Sequence, residues 1–183
     1  MTSLIRRRLL VAAAALPAMP AFAQTRPLTC GKLTGEQTEG PFFKTDTPRR
    51  VSLVEPRSNA PRLIVVGRVL SARCVPVANA LLDFWHADED GEYDNRGFRY
   101  RGHQFTDADG RYRLQTIVPA EYPGRTRHIH VKVQAPGRRI LTTQLYFRDE
   151  PGNLRDGIYR PDLEMRMAGR GAGEGTFDFV VET

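Results

Sequence analysis

With 183 residues, 40% of them hydrophobic, the chain is long enough for one domain with a full core. Its 27 Lys and Arg against 21 Asp and Glu give a formal charge of +6, spread mostly as Arg. There is no lysine-rich block, no aromatic-interleaved basic patch and, beyond the N-terminus, no apolar run long enough to span a bilayer, so neither a nucleic-acid nor a membrane partner is expected.

Residues 1–23 read as a signal peptide. Arg6, Arg7 and Arg8 form a basic start, residues 9–16 a short apolar run, and Ala21-Phe22-Ala23 an A-x-A cleavage pattern. The paired Arg before Leu9-Leu10 also suit a twin-arginine signal, while an amphipathic or disordered N-terminus is the alternative. A periplasmic or secreted location is therefore expected. Removal of residues 1–23 takes away three Arg and no acid, so the charge falls from +6 to +3. The two cysteines, Cys30 and Cys74, would form a disulfide in an exported protein, tying the N-terminal arm to the body; two buried thiols are the alternative.

Residues 24–61 are rich in Pro, Thr and Gly, show no helical period, and read as an arm draped over the domain. Strand-like runs then follow at 62–72, 78–87, 110–118, 128–135, 140–147 and 176–182, with a loop at 88–97. Residues 161–168 suit a helical turn or two, and the Gly-rich 166–175 a flexible loop. Short strands at this spacing predict an all-β fold, a β-sandwich of two sheets over 62–183, with no internal repeat.

The chemistry concentrates in "EYPGRTRHIHVKV" (121–133), which holds two of the four His. In a strand His128, His130 and Lys132 share one face, while Ile129, Val131 and Val133 face the core. Two imidazoles about 7 Å apart along a strand reach one point in front of the sheet, as a metal site requires, although an ordinary polar strand face has the same pattern. Tyr122 lies six residues upstream and Tyr93 in the loop "GEYDN". Phenolate ligands suit a hard, oxidised metal such as Fe(III), whereas zinc would draw on Cys or a third His.

The blocks "TEGPFF" (38–43), "LLDFWHADEDGEYDN" (81–95), "FRYRGHQFTDADGRYRLQTIVPAEYPGRTRHIHVKV" (98–133) and "LTTQLYF" (141–147) occur in that order. Together they resemble the intradiol ring-cleavage dioxygenases over residues 36–150, most closely the protocatechuate 3,4-dioxygenase branch. The resemblance implies a β-sandwich holding one non-haem Fe(III) per chain, with O2 as co-substrate and a small-molecule catechol as partner. The catechol ring would open between its two hydroxyl-bearing carbons to a cis,cis-muconate-type diacid. Tyr93, Tyr122, His128 and His130 would be the iron ligands, Tyr122 being the one that leaves when substrate binds. Arg125 would be the active-site Arg, with Arg127 as the alternative, and Gln144 its polar partner. A homo-oligomer, with exchange of the long arm, is compatible with this picture.

A non-catalytic prealbumin-like β-sandwich binding module is the competing reading, because "VVGRVLSARCVPVANALLDFWHA" and "TDADGRYRLQTIVPA" follow general strand-turn-strand grammar. Such a module has no reason to keep two Tyr, an H-x-H pair and an Arg together. Elsewhere, His86 reads as pocket wall or packing and His103 as structural or solvated. Tyr112 and Tyr146 read as core, and "DEDGEY" and "DADGRY" as Asp-Gly turns rather than Ca²⁺ loops.

Overall fold

The computed structural model describes residues 30–168 and 173–183; the signal-peptide reading, residues 24–29 of the arm and part of the 166–175 loop lie outside the described residues. The fold is an all-β pair of sheets. β1 (Arg62–Ser71), β4 (Arg111–Ile117), β7 (Arg166–Met167), β8 (Gly173–Thr176) and β9 (Phe179–Val181) form one sheet, in the order β4-β1-β8-β7 with β9 pairing the far end of β1. β2 (Leu81–Trp85), β3 (Arg101–Phe105), β5 (His128–Gln134) and β6 (Leu141–Tyr146) form the other, fully antiparallel, in the order β3-β2-β5-β6.

The alternation read in β5 decides how that second sheet faces. Ile129, Val131 and Val133 are fully buried in the core, with Leu82, Phe84, Leu63, Val65 and Leu114. The pairings Trp85↔His130, His130↔Gln144, Trp85↔Arg101, His128↔Tyr146 and Asp83↔Lys132 then place those residues on the other face, since directly opposed residues share a face. This face carries the polar chemistry, yet solvent does not cover it.

The arm covers it. Gln37 donates its N–H to Thr142 O, Gln144 Nε2 donates to Thr38 O at 2.8 Å, and Phe43 tilts against Trp85 with ring centres 4.9 Å apart. Farther along, the arm runs beside the edge strands of both sheets in turn. Arg50 N–H bonds His103 O and His103 N–H bonds Pro48 O on β3; Leu53 N–H bonds Gln115 O and Gln115 N–H bonds Val51 O on β4. The β3 edge of one sheet and the β4 edge of the other are thereby paired rather than left open. A disulfide between Cys30 and Cys74, Cα atoms 5.4 Å apart, pins the start of the described arm to the turn after β1.

Three segments differ from their sequence reading. β3 was not foreseen, because "RGHQF" lacks an apolar alternation; its outward residues meet the arm instead of water. The single strand expected at 176–182 is two, β8 and β9, separated where Asp178 Oδ1 accepts the Arg68 N–H in place of a backbone partner. The turns expected at 161–168 reduce to one 3₁₀ turn, Pro161–Leu163, followed by β7, and the expected 166–175 loop contains β7 and the start of β8.

Gly102 lets the arm sit this close. A Cβ there would lie 2.8 Å from Arg50 Cγ and 2.9 Å from the buried Leu53 Cδ2. Gly102→Ala is expected to lower unfolding stability by about 1–3 kcal/mol, read from urea denaturation, because the clash is with packed side-chain stems.

Candidate active site

Two histidines, two tyrosines and one arginine from the sequence reading come together on the arm-covered face. His128 and His130 leave β5 on that face with their Nε2 atoms 3.1 Å apart. The Tyr93 hydroxyl lies 3.3 Å from His128 Nε2. The Tyr122 ring stands edge-on to Tyr93, centres 5.9 Å apart, and edge-on to Phe42 at 5.4 Å. Phe42 stacks on Tyr93 at 4.5 Å and Trp85 on His130 at 4.8 Å, so aromatic walls from the arm and β2 enclose the cluster.

Loop chemistry brings the two tyrosines together. Asp88 Oδ1 accepts the N–H groups of Asp90 and Glu92, and Asp94 accepts those of Arg96, Gly97 and Arg99. These are local Asp-centred turns, which is what "DEDGEY" encodes. The Tyr93 loop then docks on the Tyr122 segment through the Ala120 N–H to Asp88 O bond. Gly91, with φ +84°, makes that docking possible: a Cβ would stand 2.4 Å from Glu121 O.

Burial sets the protonation states. It holds His128 down at about 4, helped by Arg125, and His130 well below the usual imidazole range, helped by His128 and Arg125. Burial also pushes the Tyr93 phenol up, against the opposing pull of Arg125 and Arg101. His128 Nδ1 lies 2.6 Å from Thr126 O, which assigns its proton to Nδ1 and leaves Nε2 a bare lone pair. That lone pair faces His130 Nε2, while the buried His130 Nδ1 has no hydrogen-bond partner among the described residues. Two neutral imidazoles and a phenol oxygen converging in a buried space fit a bound cation. No three His, Cys, Asp or Glu converge among the described residues; the rest of this donor set is phenolic, which suits a hard, oxidised metal.

Arg125 closes one side. Its Nε donates to Asp156 Oδ2 at 2.9 Å, and its Nη2 to Gln144 Oε1 at 2.7 Å and to Tyr146 Oη at 3.3 Å. Arg127, the alternative, instead pairs with Glu150 at 3.0 Å. Tyr146 is buried as expected, but its hydroxyl belongs to this network, donating to Gln144 Oε1 at 2.9 Å. Asp156, Thr126, Trp85 and Arg101 were not singled out from the sequence; Asp156 sits in "RDGIY", a stretch without a motif. His86 lies apart from the cluster, bonded to Ala87 O and Thr116 Oγ1 at 2.6 Å each, and His103 faces Thr47.

Known proteins share this arrangement of sequence and fold. A protein-family profile described as a dioxygenase matches residues 38–168. Chlorocatechol 1,2-dioxygenase of Pseudomonas sp. is 31% identical over 176 residues, covering 79% of this chain and 68% of that protein. The protocatechuate 3,4-dioxygenase beta chain of Burkholderia cepacia is 34% identical over 145 residues, covering 69% and 60%. The chain spans about half to two thirds of the length of such curated relatives. Among solved structures, the dioxygenase domain of a dioxygenase carbohydrate-binding protein fusion from Streptomyces sp. SirexAA-E superposes with a TM-score of 0.78 at 56% identity, covering 82% of this chain and 99% of that one. Chlorocatechol 1,2-dioxygenase of Rhodococcus opacus superposes with a TM-score of 0.73 at 28% identity, covering 80% and 71%.

The buried histidines give the metal-free protein a pH-dependent stability. Burial lowers His86 to about 4, so the unfolded chain takes up a proton, near pH 6.5, that the folded chain refuses. The stability from His86 is therefore whole above about pH 6.5 and is lost as the pH falls towards 4, by about 3 kcal/mol. His128 and His130 act in the same direction. Urea unfolding at pH 7 and pH 4.5 is expected to show this drop, and His86→Gln to make it smaller.

Proposed function

Because the chain belongs to the intradiol ring-cleavage dioxygenase family, we propose that it is an exported non-haem iron enzyme that opens a catechol-type ring between its hydroxyl-bearing carbons. Catechol and O2 combine without loss of atoms, both oxygens entering the diacid product. The observation that carries this reading is the convergence of Tyr93 Oη, His128 Nε2 and His130 Nε2 in one buried space beside the Tyr122 ring. A prealbumin-like binding module would have no use for that convergence.

Tyr93, Tyr122, His128 and His130 would hold the iron. When bound, Fe(III) supplies the Lewis acidity and the electron-accepting capacity that make a catecholate reactive towards O2. The protein's own contributions follow from the geometry. The Thr126 carbonyl fixes the His128 tautomer, so Nε2 is presented as a donor. Tyr122, half-buried where Tyr93 is only 8% exposed, is the tyrosine whose phenolate form would take a catechol proton and become the neutral phenol. Asp156 and Gln144 aim the Arg125 guanidinium at the site, where it stabilises negative charge on the opening ring. Phe42 and Trp85 stack on Tyr93 and His130 and keep water from those two rings.

Export is supported by the Cys30–Cys74 disulfide, since such bonds persist in oxidising compartments. Protein recovered after export is expected to contain no titratable thiol.

Iron-loaded full-length protein is expected to show a visible tyrosinate-to-iron charge-transfer band that shifts when catechol or protocatechuate is added. Tyr122→Phe and His128→Ala are each expected to lower ring cleavage by about 100-fold or more. Near-normal cleavage in either variant would remove that residue from the machinery, and iron-loaded protein without the band would remove the iron reading.

A further inference from the structure

Arg101 is a buried cation that forms no ion pair among the described residues. The residue is 1% exposed and lies opposite Trp85 in the sheet, on the face that carries the site. Its Nε donates to Asp94 O at 3.1 Å and its Nη1 to Phe42 O at 2.6 Å, while Nη2 has no partner among the described residues. Among the described residues no carboxylate comes within ion-pair distance of it. The Asp94 and Asp83 charges favour its cationic form from a distance, but their oxygens are hydrogen-bonded elsewhere, Asp94 to the N–H groups of Arg96, Gly97 and Arg99 and Asp83 to the Thr47 hydroxyl. Burying an arginine in this state is costly unless a negative charge arrives to compensate it.

The two carbonyls that Arg101 grips belong to the two segments that hold Tyr93. Asp94 follows Tyr93 in the chain, and Phe42 stacks on the Tyr93 ring with an interplanar angle of 17°. The guanidinium carbon itself lies 6.0 Å from the centre of that ring. Tyr93 thus has an aromatic wall and a cation beside its ring, and the Arg101–Phe42 hydrogen bond joins the two.

We propose that Arg101 is a positioning residue for Tyr93: it fixes the ring through the Asp94 and Phe42 carbonyls and supplies the charge that compensates the Tyr93 oxygen when that oxygen is metal-bound. This rests on the iron-site reading above. A tyrosinate-to-iron transition moves negative charge off the oxygen, so a nearby cation raises its energy. Removing the cation moves the band to longer wavelength.

The test is the visible spectrum and iron affinity of the full-length chain carrying Arg101→Gln or Arg101→Lys, with the surface variant Arg111→Gln as control. R101Q is expected to shift the band to longer wavelength and weaken iron binding by about 10–100-fold, the usual effect of losing a ligand-orienting partner. R101K is expected to return the band towards its wild-type position, and R111Q to leave it in place. An unmoved band and undiminished iron affinity in R101Q overturn the assignment while leaving the iron site intact. A wild-type protein that binds iron without a band overturns the underlying reading instead. If R101Q fails to fold, R101K decides: it keeps the charge and loses one carbonyl bond, so an unmoved band with weaker iron binding supports the role, and unaltered iron binding overturns it.

Discussion

The register of β5 against β2 and β6 determines whether its histidines meet each other in front of the sheet or point into the core. Side chains alternate along a strand, so a slip of one residue would exchange His128 and His130 with Ile129 and Val131. Such a slip would cost twice. Three fully buried apolar side chains would leave the core, and two imidazoles would enter it with no polar partners. The hydrophobic pattern that builds the sandwich therefore also aligns Trp85, His130 and Gln144 in one row, with His128 beside Tyr146 in the next. Fold stability and site geometry are two faces of one strand.

A sheet face carrying His, Gln, Arg, Asp and Lys would ordinarily be left to water. Here the arm seals it, and that sealing creates the electrostatics. Arm carbonyls at Thr38 and Phe42 accept donors from Gln144 and Arg101. Lys132 pairs with Glu39 and lies 3.7 Å from the centre of the Phe43 ring. With water displaced, the imidazoles stay neutral and keep their lone pairs available, which an exposed strand face would not ensure.

Much of this was legible in the sequence because it depends on period and on local turn chemistry. The alternation in 128–135 gave the faces of β5, and the Asp-Gly stretches were read as turns, which they are. What was hidden depends on contacts between distant segments. Strand β3 has no apolar pattern because the arm, over 50 residues earlier, covers its outer side. Asp156 carries no motif, yet it orients Arg125 from 31 positions away. Sequence spacing alone left Arg125 and Arg127 as alternatives; the turn at Tyr122–Arg125 sends the first to Gln144 and the second to Glu150. Nothing in the spacing of Arg101 marks it out among the many Arg of the chain; its burial does.

The two arginines beside the cluster divide it into unlike halves. Arg125 is neutralised by Asp156, is 17% exposed in its side chain, and lies three residues after the half-buried Tyr122 in a turn. Arg101 has only carbonyls for partners and lies sealed beside the buried Tyr93. The side with compensated charge and access to solvent is the one where a ligand can be exchanged at little electrostatic cost, since Asp156 balances Arg125 whether or not the Tyr122 oxygen is charged. On the sealed side, Arg101 favours a negative charge on the Tyr93 oxygen, and among the described residues it has no ion pair of its own to satisfy it. The proposed roles, Tyr122 as the exchangeable phenol and Tyr93 as the fixed one, are in keeping with this placement of counter-charges.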